Sequence, residues 1–327
     1  MDKKNLRSRK TVKKNKHLIT HFLLVAVAVI WGLGFVFTKQ ILPFVPPSLL
    51  NLLRFSVSSV LLFVLFFRKI LALSLKQWLY GILAGVFLTI GFSFQSYALV
   101  YSSSANVSLI TGLYVIAVPF FMWIVNRKRP KAKAFVAGII GFSGIAMLAA
   151  GGFSNLNKGD LYALVCALGF TLHYIVVDKG SKGTDSGALA FVQMLTAAAF
   201  FLVWSFSVDL TDTLSAAFPK SVAFPLFSLC VLSTAFAYVV QTHAQKNVDT
   251  SVVSLILSGE STLGAVFSVI MGLDKFTWYL ALSVVLMAIA LFISEYDFKP
   301  RKIARSTVPD VETNYFDFEK INVRHDE

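Results

Sequence analysis

Ten apolar stretches, each long enough to cross a lipid bilayer as a helix, divide this chain. A helix needs roughly 20 apolar residues to span the hydrocarbon core of a membrane. The stretches cover residues 19–38, 48–67, 78–98, 104–125, 134–152, 160–178, 187–207, 221–242, 250–271 and 277–294. They predict an all-α integral membrane protein with about ten transmembrane helices.

The composition indicates lipid as the solvent for most of the chain. Hydrophobic residues make up 56% of the 327 residues and charged residues 14%, and the mean hydropathy is +0.71. Soluble domains average about 45–50% apolar and about 25% charged residues. We therefore expect the chain between its two tails to be embedded in the lipid bilayer, which makes the bilayer one of its partners.

The net charge of +13 lies in tails and short loops rather than in a basic domain, which argues against a nucleic-acid partner. Cytoplasmic loops carry an excess of Lys and Arg, and an even number of spans puts both termini on one side. That side collects Lys3 to Lys16, Arg68, Lys69, Lys76, Arg127 to Lys133, Lys179, Lys182 and Lys246, against Lys39, Lys158, Lys220 and Lys275 on the other. We predict a multi-pass protein of the cell membrane with both termini in the cytoplasm.

Two polar tails flank the apolar stretches. Residues 1–17 form a basic cytoplasmic tail, and residues 297–327, of mixed charge and little apolar periodicity, form a second tail that we predict to be disordered. No A-x-A cleavage pattern follows the first tail and further spans do, so we interpret the first stretch as a retained helix rather than a signal peptide. Cys166 and Cys230 lie inside apolar stretches and predict neither a disulfide nor a metal site.

The two halves of the chain share a weak internal repeat. The aligned pairs are 31–39 with 170–178 and Arg54 with Gln193 at an offset of 139 residues, then 94–99 with 240–245 and 108–114 with 254–260 at an offset of 146. The first repeat, residues 18–152, and the second, residues 153–296, each contain five predicted helices, and this odd number inverts one repeat relative to the other. Inverted repeats place a binding site at their interface near the bilayer midplane.

Six short segments stand in an order and spacing typical of one transporter family. They are WGLGFVFTK (31–39), LRF (53–55), YSSSANVSLITGLYVIAVP (101–119), FAYVVQTHAQ (236–245), SVVSLILSGESTLGAVFSVIMGLDKFT (251–277) and ISE (293–295). Together they resemble the EamA family of the drug/metabolite transporter superfamily over residues 18–296. The resemblance implies ten helices in two inverted five-helix repeats, and transport of small metabolites, amino acids or drug-like solutes.

The chain departs from the family pattern at two places. Glu260-Ser261 stands where many members have Glu-Pro, and Gly272-Leu273-Asp274 stands where they have a Gly-Glu pair. Substrate assignments made for other members therefore do not carry over to this chain.

Glu260 is the strongest candidate for a functional residue, because it lies near the middle of the ninth predicted helix. An ionised carboxylate at that depth costs about 2.5–3.5 kcal/mol or more, so it must be protonated, paired or wetted by a cavity. We interpret it as a proton-coupling group or a binding group for an amine. A structural hydrogen-bond anchor between helices is the alternative.

Arg54 lies about two turns into the second predicted helix. It is a candidate for binding an anionic group such as a carboxylate, or for pairing with Glu260. The alternative is a side chain that extends to the membrane interface.

Three further polar residues fall inside predicted helices. Gln95 and Gln241 occupy repeat-equivalent places near opposite faces of the membrane, where they would act as gates, contact substrate or join helices. His173 in the sixth predicted helix is a candidate proton relay, with an interhelical hydrogen bond as the alternative.

Tyr114 is the repeat mate of Glu260, and Asn106 lies roughly 80° from Tyr114 around an ideal helix. We expect both to line a cavity, with Trp31 and Tyr238 as aromatic walls. Small-residue faces at Gly81 and Gly85, and at Gly138, Gly141 and Gly144, predict close helix packing first and a homo-oligomer interface second.

The sequence contains no phosphate-binding loop, metal-ligand spacing, nucleophile elbow or paired acidic motif. We therefore expect no cofactor, no metal and no enzyme activity. The predicted function is a secondary transporter, an exporter or exchanger, that acts on a small-molecule substrate by alternating access. Two alternatives stay open: a non-transporting membrane sensor or assembly protein, and a membrane-embedded enzyme that acts on a lipid-linked substrate.

Overall fold

The computed structural model describes residues 3–127, 132–150 and 157–295, and every regular element within these ranges is helical. The helices before residue 157 are α1 (Lys3–Ile41), α2 (Pro47–Leu71), α3 (Leu75–Tyr101), α4 (Ser104–Thr111), α5 (Tyr114–Asn126) and α6 (Ala132–Ala150). Those after it are α7 (Lys158–Gly180), α8 (Ser186–Ser207), α9 (Leu210–Leu214), α10 (Ala223–Phe227), α11 (Ala237–Asn247), α12 (Thr250–Leu257), α13 (Gly259–Ile270) and α14 (Trp278–Glu295). A 3-10 turn, Lys220–Val222, precedes α10, and a π-helical segment, Ser228–Phe236, joins α10 to α11.

Eight helical runs of the described chain are long and apolar enough to cross a membrane. They are Ile19–Ile41, Pro47–Leu71, Leu75–Tyr101, Ser104–Asn126, Lys158–Gly180, Ser186–Ser207, Lys220–Asn247 and Thr250–Ile270. The predicted fifth and tenth spans fall on α6 and α14, whose apolar runs Phe135–Gly144 and Trp278–Ala290 are shorter. The chain is therefore a helical, multi-pass membrane protein.

The two predicted tails differ in what the structure describes. Helix α1 begins at Lys3, so the backbone of residues 3–17 of the basic tail is helical and continues into the first span. The tail 297–327, predicted to be disordered, lies outside the described residues. All the helices from α1 to α14, which ends at Glu295, belong to one compact unit.

Helices from the two predicted repeats pack against one another. Helix α3 packs on α7 and α8, α2 on α8, α1 on α13 and α6 on α14. Glycines allow the closest approach: a Cβ atom at Gly81 would lie 2.7 Å from Val192 Cβ, and one at Gly85 would lie 2.6 Å from Thr196 Cβ. The glycine face of α3 is thus covered by α8 within a single copy of the chain.

The glycine face of α6 is covered in the same way. A Cβ atom at Gly141 would lie 2.8 Å from Ile116 Cδ1 of α5, and one at Gly144 would lie 3.2 Å from the Ser283 carbonyl oxygen of α14. Helix packing within the chain therefore accounts for both small-residue faces.

Two of the membrane runs are interrupted at related places. Helices α4 and α12 are each eight residues long and begin at Ser104 and Thr250, which are 146 residues apart. After each helix the backbone forms hydrogen bonds between residues three apart, as in a 3-10 helix. Leu113 N donates to Ile110 O at 3.1 Å, and Ser261 N donates to Ser258 O at 3.0 Å. The stretches predicted as continuous helices over 104–125 and 250–271 are therefore two helices each.

Gly85→Ala tests the contact between α3 and α8. The added Cβ would lie 2.6 Å from Thr196 Cβ and 2.9 Å from the Gln193 carbonyl oxygen, and overpacking of this kind costs about 1–3 kcal/mol. We expect a lower unfolding temperature in detergent, measured by fluorescence-detected size exclusion. Gly259→Ala is the matched control, because its Cβ would lie 3.8 Å from Ala28 Cβ, its nearest neighbour. Equal unfolding temperatures for the two variants would contradict this packing.

Candidate functional site

An interior cavity lies between helices of both predicted repeats. Its lining residues are Trp31, Gly34, Phe35, Arg54, Phe92, Gln95, Tyr114, Phe170, His173, Tyr174, Ser233, Tyr238, Gln241 and Glu260. All the sequence candidates except Asn106 are among them. Residues spread over the chain from α1 to α13 thus converge on one small space.

The cavity is small in this conformation, with a volume of about 30 Å³. One water molecule needs roughly 10–15 Å³ by this measure, so the space holds about two. Pockets for drug-sized ligands run to about 300–1,000 Å³. Helices must therefore separate before any organic solute larger than water enters.

Asn106 lies outside the cavity. It is in the first turn of α4, and its backbone N–H donates to the Ser103 side chain at 3.0 Å, which caps that helix. The prediction assumed one continuous helix from Asn106 to Tyr114, but α4 ends at Thr111 and Tyr114 begins α5. Eight residues of helix also separate the two positions by about 12 Å along the axis.

Glu260 lies in the first turn of α13, and its side chain is 6% exposed. The Tyr114 hydroxyl and the Arg54 guanidinium border the same cavity as the carboxylate. The Tyr114 hydroxyl nevertheless makes no hydrogen bond of ordinary geometry, and no ion pair joins Arg54 to Glu260 within the described ranges. The carboxylate is therefore not neutralised by a cation of the described chain.

Arg54 is buried against the π-helical segment. Its Nε donates to Thr234 Oγ1 and its Nη2 donates to Ser233 Oγ at 2.8 Å, while the guanidinium carbon lies 4.3 Å from the centre of the Phe92 ring. The side chain is 4% exposed, so it does not extend to the membrane interface. Two of its five N–H donors are used, which leaves donors available for an anion.

The π-helical segment explains why Arg54 and Trp31 meet there. A π turn leaves backbone carbonyl groups without their usual α-helical partners. Trp31 Nε1 donates to the Ser233 carbonyl oxygen at 2.7 Å, Ser58 Oγ to that of Cys230 at 2.6 Å, and Thr234 Oγ1 to that of Leu229 at 2.7 Å. Side chains of α1 and α2 are thereby tied to one wall of the cavity.

Aromatic rings form the other walls. Trp31 and Tyr238 lie 5.2 Å apart between ring centres, and Tyr114 stacks on Tyr174 at 5.2 Å with an interplanar angle of 22°. The hydroxyl groups of Tyr114 and Tyr174 are buried and have no hydrogen-bond partner. Two unsatisfied hydroxyl groups beside a carboxylate indicate that water or solute completes their hydrogen bonds.

His173 lines the cavity but is engaged with a neighbouring helix. Its Nε2 donates to Gln193 Oε1 at 2.7 Å, and Gln193 Nε2 donates to the Leu189 carbonyl oxygen at 3.2 Å. The imidazole also packs edge-on against Tyr238. This geometry is the interhelical hydrogen bond that stood as the alternative to a proton relay.

Gln95 and Gln241 line the same cavity, although the sequence placed them near opposite faces of the membrane. Gln241 Nε2 donates to Gln245 Oε1 at 3.1 Å, and Gln245 Nε2 donates to the Tyr174 carbonyl oxygen at 2.8 Å. Gln241 Oε1 is buried and has no partner. A third unsatisfied polar atom therefore borders the site.

Several lining residues carried no signal in the sequence. Phe92, Phe170 and Tyr174 belong to residue types that are abundant here, with 31 Phe and 10 Tyr in the chain, and Ser233 is one of many serines in apolar stretches. Tyr174 follows His173 directly, and its place next to a polar helix residue is the one feature that could have singled it out.

The described residues offer no metal centre. Within residues 3–127, 132–150 and 157–295, no three His, Cys, Asp or Glu side chains come together to hold a metal ion. Cys166 and Cys230 are both buried and unpaired.

Comparison with known proteins gives a family for this arrangement. The sequence model of the EamA-like transporter family matches the chain twice, over residues 18–150 and 157–296. An uncharacterized transporter of Archaeoglobus fulgidus is 30% identical over 261 residues, which are 78% of each chain. The uncharacterized transporter YoaV of Bacillus subtilis is 23% identical over 291 residues, covering 86% of this chain and 98% of its own.

A solved crystal structure shares the fold. It superposes with a TM-score of 0.66 at 17% sequence identity and covers 85% of this chain and 95% of its own. At that identity the similarity concerns the fold alone.

The bond between His173 and Gln193 is suited to a double-mutant cycle. Gln193→Leu leaves the buried imidazole N–H without its acceptor, and we expect a loss of about 1–3 kcal/mol in stability. His173→Phe combined with Gln193→Leu removes both partners and should unfold at a temperature closer to that of the wild type than Gln193→Leu alone. Additive effects of the two single changes would show that the bond does not stabilise the fold.

Proposed function

Because the chain belongs to the EamA-like transporter family, we propose that it is a secondary carrier that moves a small zwitterionic solute across the cell membrane by alternating access. One observation carries the proposal: a carboxylate without a cationic partner and a guanidinium with unused donors border the same cavity between aromatic rings. It acts on a small-molecule substrate as an exporter or exchanger, without catalysing a chemical change.

The proposed architecture consists of ten transmembrane helices in two inverted five-helix repeats, residues 18–152 and 153–296. The equal lengths of α4 and α12 and their spacing of 146 residues support it, as does the double match of the family model. Inverted repeats give a carrier two related conformations around one fixed site. The cavity of about 30 Å³ would enlarge as either conformation opens.

The proposed substrate carries both a carboxylate and an ammonium group. The remaining N–H donors of Arg54 suit a carboxylate, because a guanidinium binds that group with two parallel hydrogen bonds. Glu260 binds the ammonium group or, in its absence, a proton, and the rings of Trp31 and Tyr238, which line the same cavity, favour a cation there. An amino acid is the simplest solute with this pair of charges.

Counterflow in proteoliposomes tests the substrate and the role of Arg54. Vesicles are preloaded with pooled amino acids, nucleosides, sugars and organic acids, and exchange is followed by mass spectrometry. We expect exchange of zwitterions, and a loss of at least tenfold for Arg54→Gln because an anion in an apolar site then loses its charged partner. Arg68→Gln is the matched control, since that arginine is exposed in the last turn of the same helix, α2.

Glu260→Gln separates the two roles of the carboxylate. If Glu260 binds the ammonium group, both counterflow and proton-driven accumulation should fall. If it carries the coupling proton, counterflow should persist and accumulation driven by a pH gradient should vanish. Normal transport in both assays at every pH would remove Glu260 from the mechanism. No exchange beside a working control carrier would favour the sensor alternative.

Both termini of the proposed carrier lie in the cytoplasm. The support is the uneven distribution of Lys and Arg, with Arg68, Lys69 and Lys76 in one loop against Lys39 in the preceding one. Alkaline phosphatase fused after residue 327 should be inactive in a bacterial host, and the same enzyme fused after residue 44 should be active. The reverse pattern would contradict the orientation.

A further inference from the structure

A second and much larger cavity lies between α3, α7 and α8, with a volume of about 580 Å³. This size falls within the range of about 300–1,000 Å³ that is usual for small-molecule sites. On α3 its lining extends from Val86 to Tyr101, which corresponds to about 22 Å of helix. We call it the α3–α8 groove. It is separate from the interior cavity and shares no lining residue with it.

The groove opens on the apolar surface of the bundle. Val86, Tyr101 and Phe200 line it and are 42%, 52% and 44% exposed. They lie within the membrane runs Leu75–Tyr101 and Ser186–Ser207, so lipid is the medium on that side. An occupant therefore enters from the bilayer rather than from water.

One end of the groove is aromatic and polar. Tyr97 and Trp204 lie 6.2 Å apart between ring centres, and the Tyr97 hydroxyl donates to Asp209 Oδ2 at 3.2 Å. Trp204 Nε1 is buried without a hydrogen-bond partner. In the described part of the chain, no Lys or Arg forms an ion pair with Asp209, and its side chain does not cap α9. A carboxylate beside aromatic rings is suited to a cationic group.

A second polar group lies one turn deeper. Ser93 lines the groove, is 8% exposed, and its hydroxyl has no hydrogen-bond partner. It precedes Tyr97 by four residues, a rise of about 6 Å along α3. Beyond Ser93 the lining of α3 continues with the apolar Ile90 and Val86 and with Thr89, whose hydroxyl donates to the Gly85 carbonyl oxygen of its own helix at 2.8 Å. From the end near Asp209 inward, the order is thus an anion, an unpaired hydroxyl and an apolar channel.

We propose that the α3–α8 groove binds a membrane phospholipid whose headgroup carries a primary amine. The ammonium group contacts Asp209 and the rings of Tyr97 and Trp204, the ester carbonyl accepts a hydrogen bond from Ser93, and one acyl chain lies along Ile90 and Val86. This assignment follows the order of charge, hydroxyl and apolar surface along α3. It requires no transport activity and stands independently of the proposed function.

Trp204 reports directly on the occupant. The full chain with its other four tryptophans, Trp31, Trp78, Trp123 and Trp278, replaced by Phe is placed in phosphatidylglycerol nanodiscs that contain brominated lipid. We expect brominated phosphatidylethanolamine to quench Trp204 about two- to fivefold more effectively than brominated phosphatidylglycerol, because an exposed charge pair favours the amine by about that factor. Asp209→Asn should abolish the preference, and Asp212→Asn, the neighbouring exposed carboxylate, should retain it.

Equal quenching by the two brominated lipids would overturn the proposal, and so would a preference that survives Asp209→Asn. If the variant that retains only Trp204 does not fold, native mass spectrometry of the wild-type chain replaces the quenching experiment. Phosphatidylethanolamine adducts should then survive higher collision energy than phosphatidylglycerol adducts, and Asp209→Asn should equalise the two. Equal survival of the adducts on the wild-type chain would contradict amine recognition.

Discussion

The Glu260 carboxylate lies inside an apolar bundle, where an ion costs about 2.5–3.5 kcal/mol or more, and no cation of the described chain pairs with it. Arg54 borders the same cavity, but it forms no ion pair with Glu260, and two of its five N–H donors are directed to Ser233 and Thr234. A direct pair would neutralise both groups and leave nothing for a solute to bind. Holding the two charges apart maintains a site that is incomplete until a proton, water or solute enters it.

The irregular backbone segments border the cavity in which Arg54 and Glu260 are held apart. In a membrane, backbone groups that leave the regular helical pattern must find partners within the protein or in a water-filled cavity. Three carbonyl groups of the π-helical segment Ser228–Phe236 accept hydrogen bonds from the side chains of Trp31, Ser58 and Thr234, and these bonds hold one wall of the cavity in place. The breaks before Tyr114 and Glu260 place these two side chains at the beginnings of α5 and α13, both directed to the cavity.

The long apolar stretches allowed the membrane helices to be predicted from the sequence, and the isolated polar residues within them allowed most of the site residues to be predicted. Glu260, Arg54 and His173 stand out because polar groups in an apolar stretch must be buried with a partner or beside a cavity. The helix breaks after α4 and after α12 could not be predicted, because no proline lies at either break. Gly112, at the first break, is required by packing: a Cβ atom there would lie 2.7 Å from Ser261 Cβ. Asn106 was misplaced for the same reason: angular spacing on an ideal helix holds only while the helix continues.

A carboxylate near each end of α7 joins that end to a neighbouring helix. At its beginning, Asp160 accepts from Ser102 Oγ at 2.7 Å, and the Ser102 carbonyl oxygen accepts from Lys39 Nζ at 2.9 Å. At its end, Asp178 accepts from Thr250 Oγ1 at 2.7 Å. Lys39 and Asp178 are 139 residues apart and occupy the same position of the predicted repeat, so that position carries opposite charges in the two halves.

Each of these charges suits the helix end that it faces. Lys39 lies at the C-terminal carbonyl groups of α3, where a cation is favoured, and Asp178 lies at the first residue of α12, where an anion is favoured. Opening the proposed carrier at one end therefore breaks different interactions from opening it at the other. We therefore expect the two conformations of the proposed carrier to differ in free energy.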